Sequence, residues 1–478
     1  MPAAATVASA PSLKRSLGLG SLVLYGIILI QPTAPMPLFG VAYEKAGGHV
    51  ATLILIGLVA MMFTALSYGR MANAYPNAGS AYAYVSREFH AAPGYLTGWS
   101  MMFDYMLNPA ICVIWCGKAT FDVTAGLGTL HLPGINLDLS FIHQIPVAAW
   151  FVFYALLFTW LNLRGIEASA RTNALLAAGL GLVIVLFLVA AWRHLFLHQP
   201  PDAAALARPF YDPATFSWTS LSSGAALAVL TYIGFDGIST LSEEVHNPRR
   251  NILLATVLVC LITGVLASVQ VYAAQLVWPE TKFPDTDTAF CYVAGKAGGQ
   301  WLFMTVNLAL LVATIGSGSG AHLGAGRLLY GMGRDNAIPG RFFAAVNPRT
   351  HIPSNNIILV GVVTLIGAFT LTYSLGAELL NFGALIAFMG VNASAFVHYF
   401  LRGARKTVCN FLLPLLGFVV CFYLWYNLGP KAKIAGLCWL AAGVLYGAWR
   451  TSFFTRPLPF ARIENDEEQT QPPPSAKS

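Results

Sequence analysis

Charged residues are scarce in this chain: Asp, Glu, Lys and Arg make up 10% of its 478 residues, whereas 56% are hydrophobic. A soluble domain carries about 25% charged residues. The composition therefore excludes an ordinary soluble globular domain and indicates an integral membrane protein embedded in a lipid bilayer. The formal net charge of +7 reflects how Lys and Arg are distributed between loops, and we expect no nucleic-acid partner.

Motifs for catalysis, metal binding and disulfide pairing are also lacking. The seven cysteines form no CxxC pair and lie mostly in apolar segments, which predicts buried small hydrophobic residues. The sequence has no HExxH, no Ser/His/Asp order, no clustered metal ligands and no selectivity-filter repeats. We therefore expect neither an enzyme nor a channel, and no cofactor or metal.

Long apolar runs predict an all-α protein with twelve transmembrane helices. An even number places both termini on one side. That side would hold 19 of the 27 Lys and Arg residues and the other side 8, so the positive-inside rule puts both termini in the cytoplasm. The predicted spans are 18–41, 50–70, 94–117, 147–163, 172–192, 222–243, 252–277, 301–325, 356–374, 379–400, 411–428 and 433–449.

The sixth span contains an acid beside a glycine. An apolar helix over 222–232 reaches Gly234 and Asp236, and a second half-helix is expected from Gly237 to about Glu243. In lipid, charges and unpaired backbone groups are tolerated only where they face protein or a water-filled cavity. The pattern predicts a broken helix and a candidate binding site. The alternative role for Asp236 is a structural acid that caps the unwound turn.

The first span is predicted to be broken as well. Its apolar start is followed by Pro32, Pro35 and Pro37, which remove three backbone donors and clash with a continuing helix. A proline-kinked helix without a site is the alternative. The sixth span lies five spans later and so runs in the opposite direction. Two broken helices at corresponding places indicate an inverted-repeat transporter with its site between the breaks.

This repeat defines the expected domain organisation. Residues 17–192 form the first five-helix repeat, 222–400 the second, and 411–450 two additional helices of one transporter domain, 17–450. Residues 1–16 form a cytoplasmic tail. Residues 451–478 are acidic and then rich in Gln and Pro, which predicts a disordered cytoplasmic tail.

The third and eighth spans supply further candidates. Asp104 lies about ten residues into the third span, or ~15 Å deep at 1.5 Å per residue. It is either a partner for a substrate ammonium or proton, or a structural acid bonded to another helix. Tyr105 is a pocket wall or a packing residue. In the eighth span, Ser317 and Ser319 either line the cavity or belong to a run of small residues that permits close helix packing.

Several motifs of this chain resemble those of the amino acid–polyamine–organocation permeases. They are Tyr232-Ile233-Gly234-Phe235-Asp236, Glu243-Glu244, Asn247-Pro248-Arg249, Tyr75-Pro76, Ala78-Gly79-Ser80-Ala81-Tyr82, Gly98-Trp99, Asn162 with Gly165, and Arg327 to Pro339. The similarity covers roughly Leu17 to Arg450. The Gly-Trp-Ser-x-x-x-Asp-Tyr pattern of the third span is most similar to the putrescine-importer branch.

The resemblance implies a five-plus-five inverted fold that works by alternating access. Substrate would lie between the broken first and sixth helices, with walls from the third and eighth, and transport would be driven by an ion gradient, usually of protons. The substrate-binding residues expected on this basis are Thr33, Ala34, Met36, Asp104, Tyr105, Tyr232, Gly234, Phe235 and Asp236.

The chain departs from the family at three places. Members that bind amino acids commonly have a Gly/Ser-rich break whose N–H groups receive the carboxylate, whereas prolines here leave only Thr33, Ala34 and Met36 as donors. The acid of the putrescine-importer branch in helix one is replaced by Pro37-Leu38. No Lys lies between residues 171 and 193, so a helix-five lysine cannot substitute for sodium.

Together these features predict a proton-coupled importer of a small cationic amine such as putrescine, or of an amino acid, in the inner (plasma) membrane. Tyr232 and Phe235 would form an aromatic gate attracted to an ammonium group, with packing as the alternative. Glu243 and Glu244 would close the inner gate. The rival prediction is a sodium-coupled or exchange-type neutral amino acid transporter, in which Ser317 and Ser319 bind Na⁺.

Overall fold

The computed structural model describes residues 17–75, 80–125, 129–132, 135–138, 140–165, 170–198, 200–241, 245–280, 282–334, 338–350 and 352–451. Eight helices in this part of the chain are long and apolar enough to cross a membrane, or nine if one bent pair counts as a single span. Two further apolar helices, Val147–Leu163 and Ser354–Thr370, have 17 residues each. The chain is a multi-pass helical membrane protein.

The helices are numbered in chain order. They are α1 (Leu19–Ile30), α2 (Pro35–Ala46), α3 (Val50–Ala74), α4 (Ser80–Glu88), α5 (Ala91–Ala125), α6 (Val147–Leu163), α7 (Ala170–His198), α8 (Ala203–Ala207), α9 (Trp218–Ala228), α10 (Pro248–Val277), α11 (Ala289–Gly298), α12 (Gln300–Arg334), α13 (Gly340–Phe343), α14 (Ser354–Thr370), α15 (Tyr373–Phe396), α16 (Val408–Tyr426) and α17 (Pro430–Arg450). Short 3₁₀ segments cover Ser140–Gln144, Val229–Thr231 and Phe235–Leu241, and a π-helical turn covers Val397–Leu401.

A short antiparallel hairpin accompanies the helices and leaves the predicted all-helical class unchanged. Strands β1 (Thr129–Leu132) and β2 (Ile135–Asp138) pair after α5, with Thr129 opposite Asp138. The sequence signal was the alternation of apolar and polar residues on both sides of Pro133-Gly134. The hairpin and the small helix α4 mark opposite ends of the helical bundle, called here the hairpin end and the α4 end.

The centre of the bundle is formed by α3, α5, α10, α12 and α15. Helix α3 packs along α10, and α5 packs against both α12 and α15. Small residues permit the close contact between α3 and α10, because a Cβ on Gly69 of α3 would lie 2.6 Å from the Cα of Leu253 in α10. Close approach through small residues is a general feature of helix packing in membranes. Large apolar side chains such as Val185 and Leu445 are exposed on the outer helices α7 and α17, as a lipid-facing surface requires.

The first span is broken, but within a shorter segment than predicted. Helix α1 ends at Ile30 and α2 begins at Pro35, with the two axes bent by 52°. Only Pro32 lies between them. Pro35 and Pro37 stand in the first turn of α2, where a missing N–H costs little because those donors have no partner within the helix. The prediction that all three prolines interrupt the helix is therefore wrong for Pro35 and Pro37.

The sixth span is also broken at the predicted place. Helix α9 begins at Trp218, four residues earlier than expected, and passes through the 3₁₀ turn Val229–Thr231. The backbone opens at Gly234, whose φ of +120° is rarely adopted by residues with a side chain. The chain then continues from Phe235 to Leu241 as a 3₁₀ helix. The second half therefore begins two residues before the predicted Gly237 and is more tightly wound than an α-helix.

Candidate functional site

A cavity of about 120 Å³ lies between the two broken spans, α5 and α12. None of its lining residues, all within the described part of the chain, carries a charge. Amide, hydroxyl, thiol and aromatic groups nevertheless project toward it. The lining residues are Leu29, Ile30, Gln31, Ala34, Pro37, Asn108, Ile111, Cys112, Trp115, Leu230, Ile233, Thr314, Ser317 and Tyr373.

The break in the first span presents the negative end of one helix to this cavity. Leu29, Ile30 and Gln31, at the carboxyl end of α1, all line it. The last carbonyl groups of a helix carry partial negative charge and favour cations. The opposite, positive end belongs to α2, but Pro35 and Pro37 have no N–H group there. The geometry is thus suited to a cation rather than to a carboxylate.

The remaining donors of this break are engaged within the chain. The N–H group of Gln31 donates to the Ile27 carbonyl at 3.0 Å, that of Ala34 to Gln31 at 3.1 Å, and that of Met36 to Thr33 at 2.9 Å. The Thr33 and Met36 side chains are buried rather than part of the cavity lining. Of the three donor residues named from the sequence, only Ala34 lines the cavity.

Two glutamine side chains hold the first break in place. The Nε2 group of Gln31 donates to the carbonyl of Ala313 in α12 at 3.0 Å, and the Nε2 group of Gln270 in α10 donates to the carbonyl of Pro32 at 3.0 Å. Gln270 is completely buried. Buried polar groups of this kind are stable only when hydrogen-bonded, so these bonds position the unwound segment between α10 and α12.

The two breaks touch each other at Gly234. A Cβ at this position would lie 3.3 Å from the carbonyl carbon and oxygen of Leu29. The carboxylate of Asp236 accepts a hydrogen bond from the N–H group of Gly234 at 3.2 Å and another from the backbone of Gly237. The structure therefore realises the capping role of Asp236 that the sequence left as an alternative. Asp236 itself is not among the residues that line the cavity.

Asp104 is buried in α5 at a tight contact with α15. A Cβ on Gly383 would lie 2.5 Å from the carbonyl of Ser100 and 3.4 Å from the Cβ of Asp104. The carboxyl groups of Asp104 and Asp236 lie close enough for electrostatic interaction. Asp104 also lies one helical turn from Asn108, which lines the cavity. The structure thus brings the two predicted acids within electrostatic range of each other, but neither lines the cavity.

The two predicted gate aromatics pack away from the cavity. Tyr232 is fully buried, and its hydroxyl donates to the carbonyl of Ile54 in α3 at 2.6 Å. Phe235 is fully buried against Tyr68 and Phe388, with ring centroids 5.5 and 5.3 Å away. In this structure both rings are core residues that fasten the sixth span to α3 and α15, which corresponds to the packing alternative, and the aromatic gate stays a prediction.

The two serines of α12 point to different neighbours. Ser317 lines the cavity next to Cys112 of α5, whereas Ser319 receives the Asn162 amide of α6 at 3.2 Å. Residues two apart on a helix do not share a face, so these hydroxyls do not meet at one ion site. The ring of Tyr105 packs 3.3 Å from the position of a Cβ on Gly324 in α12. The predicted gate residues Glu243 and Glu244 lie outside the described residues.

Sequence reasoning overlooked most of the cavity wall. Asn108, Cys112 and Trp115 follow Asp104 along α5 at spacings of three and four residues, and all three line the cavity. Asn108 carried a signal, since it is a polar residue one turn from an acid within an apolar span. Gln31 carried one too, as a polar side chain at the break itself. Tyr373 carried none, because its proximity depends on how α15 packs.

A network of charges covers the cavity at the hairpin end. The Nζ atom of Lys118 in α5 lies 2.6 Å from Asp287 and 3.3 Å from Asp285, in the segment that precedes α11. Trp115, which lines the cavity, donates from Nε1 to the carbonyl of Asp287 at 2.8 Å. The Thr286 hydroxyl bonds to Glu44 of α2 at 2.8 Å. The segment 285–288 therefore joins α5 to α2 above the cavity.

Comparison with known proteins agrees with this arrangement. The family model described as amino acid permease matches residues 16–439. The low-affinity putrescine importer PlaP of Escherichia coli (strain K12) is 33% identical over 94% of this chain and 96% of its own. The branched-chain amino acid permease BcaP of Bacillus subtilis (strain 168) is 28% identical over 91% of this chain and 92% of its own. The methylthioribose transporter of the same organism is 26% identical over 91% and 93%.

The chain belongs to the amino acid permease family, within the amino acid–polyamine–organocation group. Its relatives are transporters, so the protein is a permease and not an enzyme. The general activity of the family is the movement of small amines or amino acids across a membrane.

Proposed function

We propose that this permease imports a small cationic amine of the putrescine type by alternating access, driven by protons. The observation that carries the proposal is the charge pattern around the cavity. The carboxyl end of α1 faces the cavity, while prolines occupy the opposing amino end of α2. An ammonium group is stabilised by the first feature, and a carboxylate gains nothing from the second.

The two acids beside the cavity support a cationic substrate. Asp104 and Asp236 interact electrostatically with each other. A cation close to both carboxyl groups is stabilised by each of them. A diamine entering beside them, or a proton moving with it, supplies that positive charge. The similarity to a putrescine importer points to the same class of substrate.

The proposed architecture is twelve spans arranged as two inverted five-helix repeats plus two additional helices. The paired breaks near Gln31–Ala34 and Gly234 support it, because inverted repeats place their interrupted helices at equivalent positions. The bias of Lys and Arg supports an orientation with both termini in the cytoplasm of the inner membrane. The α4 end is then cytoplasmic and the hairpin end faces outward.

A sodium-coupled or exchange-type transporter of neutral amino acids is the second candidate. It is favoured by one observation, the position of the carboxyl end of α1 beside the Ser317 hydroxyl, since carbonyl and hydroxyl oxygens suit Na⁺. Ser319, which bonds to Asn162, contributes nothing to such a site here. Relatives named as branched-chain amino acid permeases are compatible with this candidate.

Uptake into proteoliposomes tests both candidates. Labelled putrescine and a labelled neutral amino acid are compared with an imposed pH gradient, in sodium-free and sodium-containing buffer. We expect putrescine uptake that collapses with the pH gradient and is indifferent to sodium. Uptake of the neutral amino acid that resists competition by putrescine would refute the cationic assignment. In that case, sodium dependence lost in Ser317→Ala but kept in Ser319→Ala would support the second candidate.

A further inference from the structure

One buried carboxylate joins three elements at the α4 end. The side chain of Glu88, the last residue of α4, is completely buried. It accepts hydrogen bonds from the Tyr75 hydroxyl at 2.7 Å and from Nη1 of Arg402 at 3.0 Å. The Nδ1 atom of His398 lies 2.6 Å from the same carboxylate. This cluster of Tyr75, Glu88, His398 and Arg402 is called here the Glu88 clamp.

The clamp ties the end of α15 to α3 through α4. Tyr75 follows the last residue of α3, while His398 and Arg402 lie in and just after the π-helical turn that ends α15. Nη2 of Arg402 also donates to the backbone carbonyl of Glu88 at 3.0 Å. Loss of any one partner leaves a buried charge less well satisfied, which is costly in a low-dielectric interior.

The other end of α4 is attached to the second half of the sixth span. The hydroxyl of Ser80, the first residue of α4, hydrogen-bonds that of Ser239 at 3.2 Å. The ring of Tyr84 packs edge-on against Tyr68, with centroids 6.2 Å apart, and Tyr68 packs against Phe235. Helix α4 therefore connects the clamp mechanically to the broken helix beside the candidate site.

His398 contributes the imidazole of the clamp, next to the Glu88 carboxylate. Arginine stays charged at all relevant pH values, and imidazole groups gain a proton within the physiological range. Burial and the bond to Glu88 raise the pKa of Tyr75 to about 12, so its hydroxyl remains a donor. Charged or titratable groups from three elements surround His398. They are Arg70 of α3 and Tyr75 just after it, Arg87 and Glu88 of α4, Tyr399 of its own turn and Arg402 just after that turn.

We propose that His398 is a positioning residue that senses cytoplasmic pH, and that its protonation tightens the Glu88 clamp and holds the cytoplasmic gate closed. The proposal rests on the orientation given under the proposed function. A neutral imidazole offers Glu88 one ordinary hydrogen bond, whereas an imidazolium offers a charge-assisted bond of roughly twice the strength. Acidification of the cytoplasm then restrains α4 and, through Ser80 and Ser239, the broken sixth span. Import slows before further protons enter.

Hydrogen–deuterium exchange tests the clamp without any substrate. Backbone exchange of residues 80–88 is measured on the purified protein at pH 6.0 and 8.0, as a ratio between wild type and His398→Gln at each pH so that the intrinsic chemistry cancels. At pH 6.0 we expect residues 80–88 to be about fivefold more protected in the wild type than in His398→Gln, the factor that corresponds to about 1 kcal/mol. At pH 8.0 we expect the protection of the two proteins to be nearly equal. His246→Gln, an exposed histidine at the same end, is the control.

A second experiment measures transport, as the exchange of labelled putrescine across the proteoliposome membrane with the same pH on both sides, from pH 5.5 to 8.5. We expect the wild-type rate to fall on the acid side, His398→Gln to flatten the profile, and His398→Arg to be slow throughout. Equal protection of α4 in wild type and His398→Gln at both pH values would overturn the proposal. Normal pH-dependent protection without putrescine transport would instead support the clamp and refute the proposed substrate.

Discussion

The hydroxyl of Tyr232 donates a hydrogen bond to the carbonyl oxygen of Ile54, 2.6 Å away in α3. Tyr232 lies two residues before Gly234, where the backbone opens, so this bond fixes the approach to the break. Gly57 makes room for the ring, since a Cβ there would lie 2.9 Å from its Cε2 atom. The sixth span is therefore anchored to α3 through a residue that its sequence motif marks as functional.

Tyr232→Phe separates anchoring from substrate contact. We expect the free energy of unfolding to fall by about 1 kcal/mol, the typical contribution of one hydrogen bond, with KM for the substrate unchanged. The matched variant is Tyr373→Phe, because that residue lines the cavity and its change is expected to shift KM. Thermal unfolding and initial uptake rates measure the two effects. A change of KM in Tyr232→Phe equal to that in Tyr373→Phe would show that Tyr232 reaches the substrate.

Gly234→Ala is expected to damage the break itself. The φ of +120° strains any residue with a side chain, and the new Cβ meets the backbone of Leu29 at 3.3 Å. Such strain costs about 1–3 kcal/mol, so we predict a lower unfolding temperature and loss of uptake. Gly316→Ala is the control, because a Cβ there meets nothing within 4 Å and alanine is favourable in a helix. Normal stability in Gly234→Ala would mean that the turn adopts another conformation.

Substitution of Asp236 and of Asp104 by Asn is expected to have different effects on stability and uptake. Asp236 caps the turn through backbone donors, so Asp236→Asn weakens charge-assisted bonds and lowers both stability and transport. Within the described residues Asp104 accepts no hydrogen bond from a backbone N–H group, and we predict that Asp104→Asn lowers uptake about tenfold, the effect of ~1.4 kcal/mol, with little change in unfolding temperature. Uptake and thermal unfolding are measured side by side. Wild-type uptake in both variants would remove these acids from the transport mechanism.

The features that could be predicted from the sequence are those that depend on the residues of a single segment, such as the two helix breaks. Both breaks could be found because Pro32, Gly234 and Asp236 conflict with a continuous apolar helix. The direction of side chains could not be found in the same way. Tyr232 and Phe235 differ from a true cavity residue such as Tyr373 only in which helix packs against them, and that depends on contacts between segments hundreds of residues apart.

The Glu88 clamp at the α4 end also depends on contacts between distant segments, which the sequence alone does not predict. Glu88 and Arg402 are separated by 314 residues, and each is an ordinary loop-flanking charge when the sequence is considered alone. Only the arrangement of α4 beside the π-helical turn joins them in an ion pair, in which Glu88 is buried and Arg402 remains exposed. Conversely, Ser317 and Ser319 look equivalent in the sequence, but the helical rotation between them sends one to the cavity and the other to Asn162.

Lys118 and Asp287 are predicted to form a pH-sensitive cover at the hairpin end. Burial raises the pKa of Asp287 above its usual range, although Lys118 opposes the shift. The ion pair needs an ionised carboxylate, so it is intact above that raised pKa and is lost as the outer pH falls through it. Acid outside therefore removes the closer of the two carboxylate partners of Lys118, leaving Asp285, and loosens the segment 285–288 above the cavity.

Labelling of a cavity cysteine measures this opening. Ser317→Cys is introduced after the cavity-lining Cys112 and the exposed Cys409 and Cys438 are replaced by Ser, and an impermeant maleimide is added from outside at pH 7.5 and 5.5. Rates are expressed relative to the same protein carrying Asp287→Asn, so that the pH dependence of the thiol cancels. We expect the protein with native Asp287 to be labelled more slowly than Asp287→Asn at pH 7.5 and at nearly the same rate at pH 5.5. Asp202 is an exposed acid at the same end, and Asp202→Asn is the control that we expect to behave like wild type. A ratio that does not change with pH would mean that the Lys118–Asp287 pair does not control access, because its charge would then have no effect on the cover.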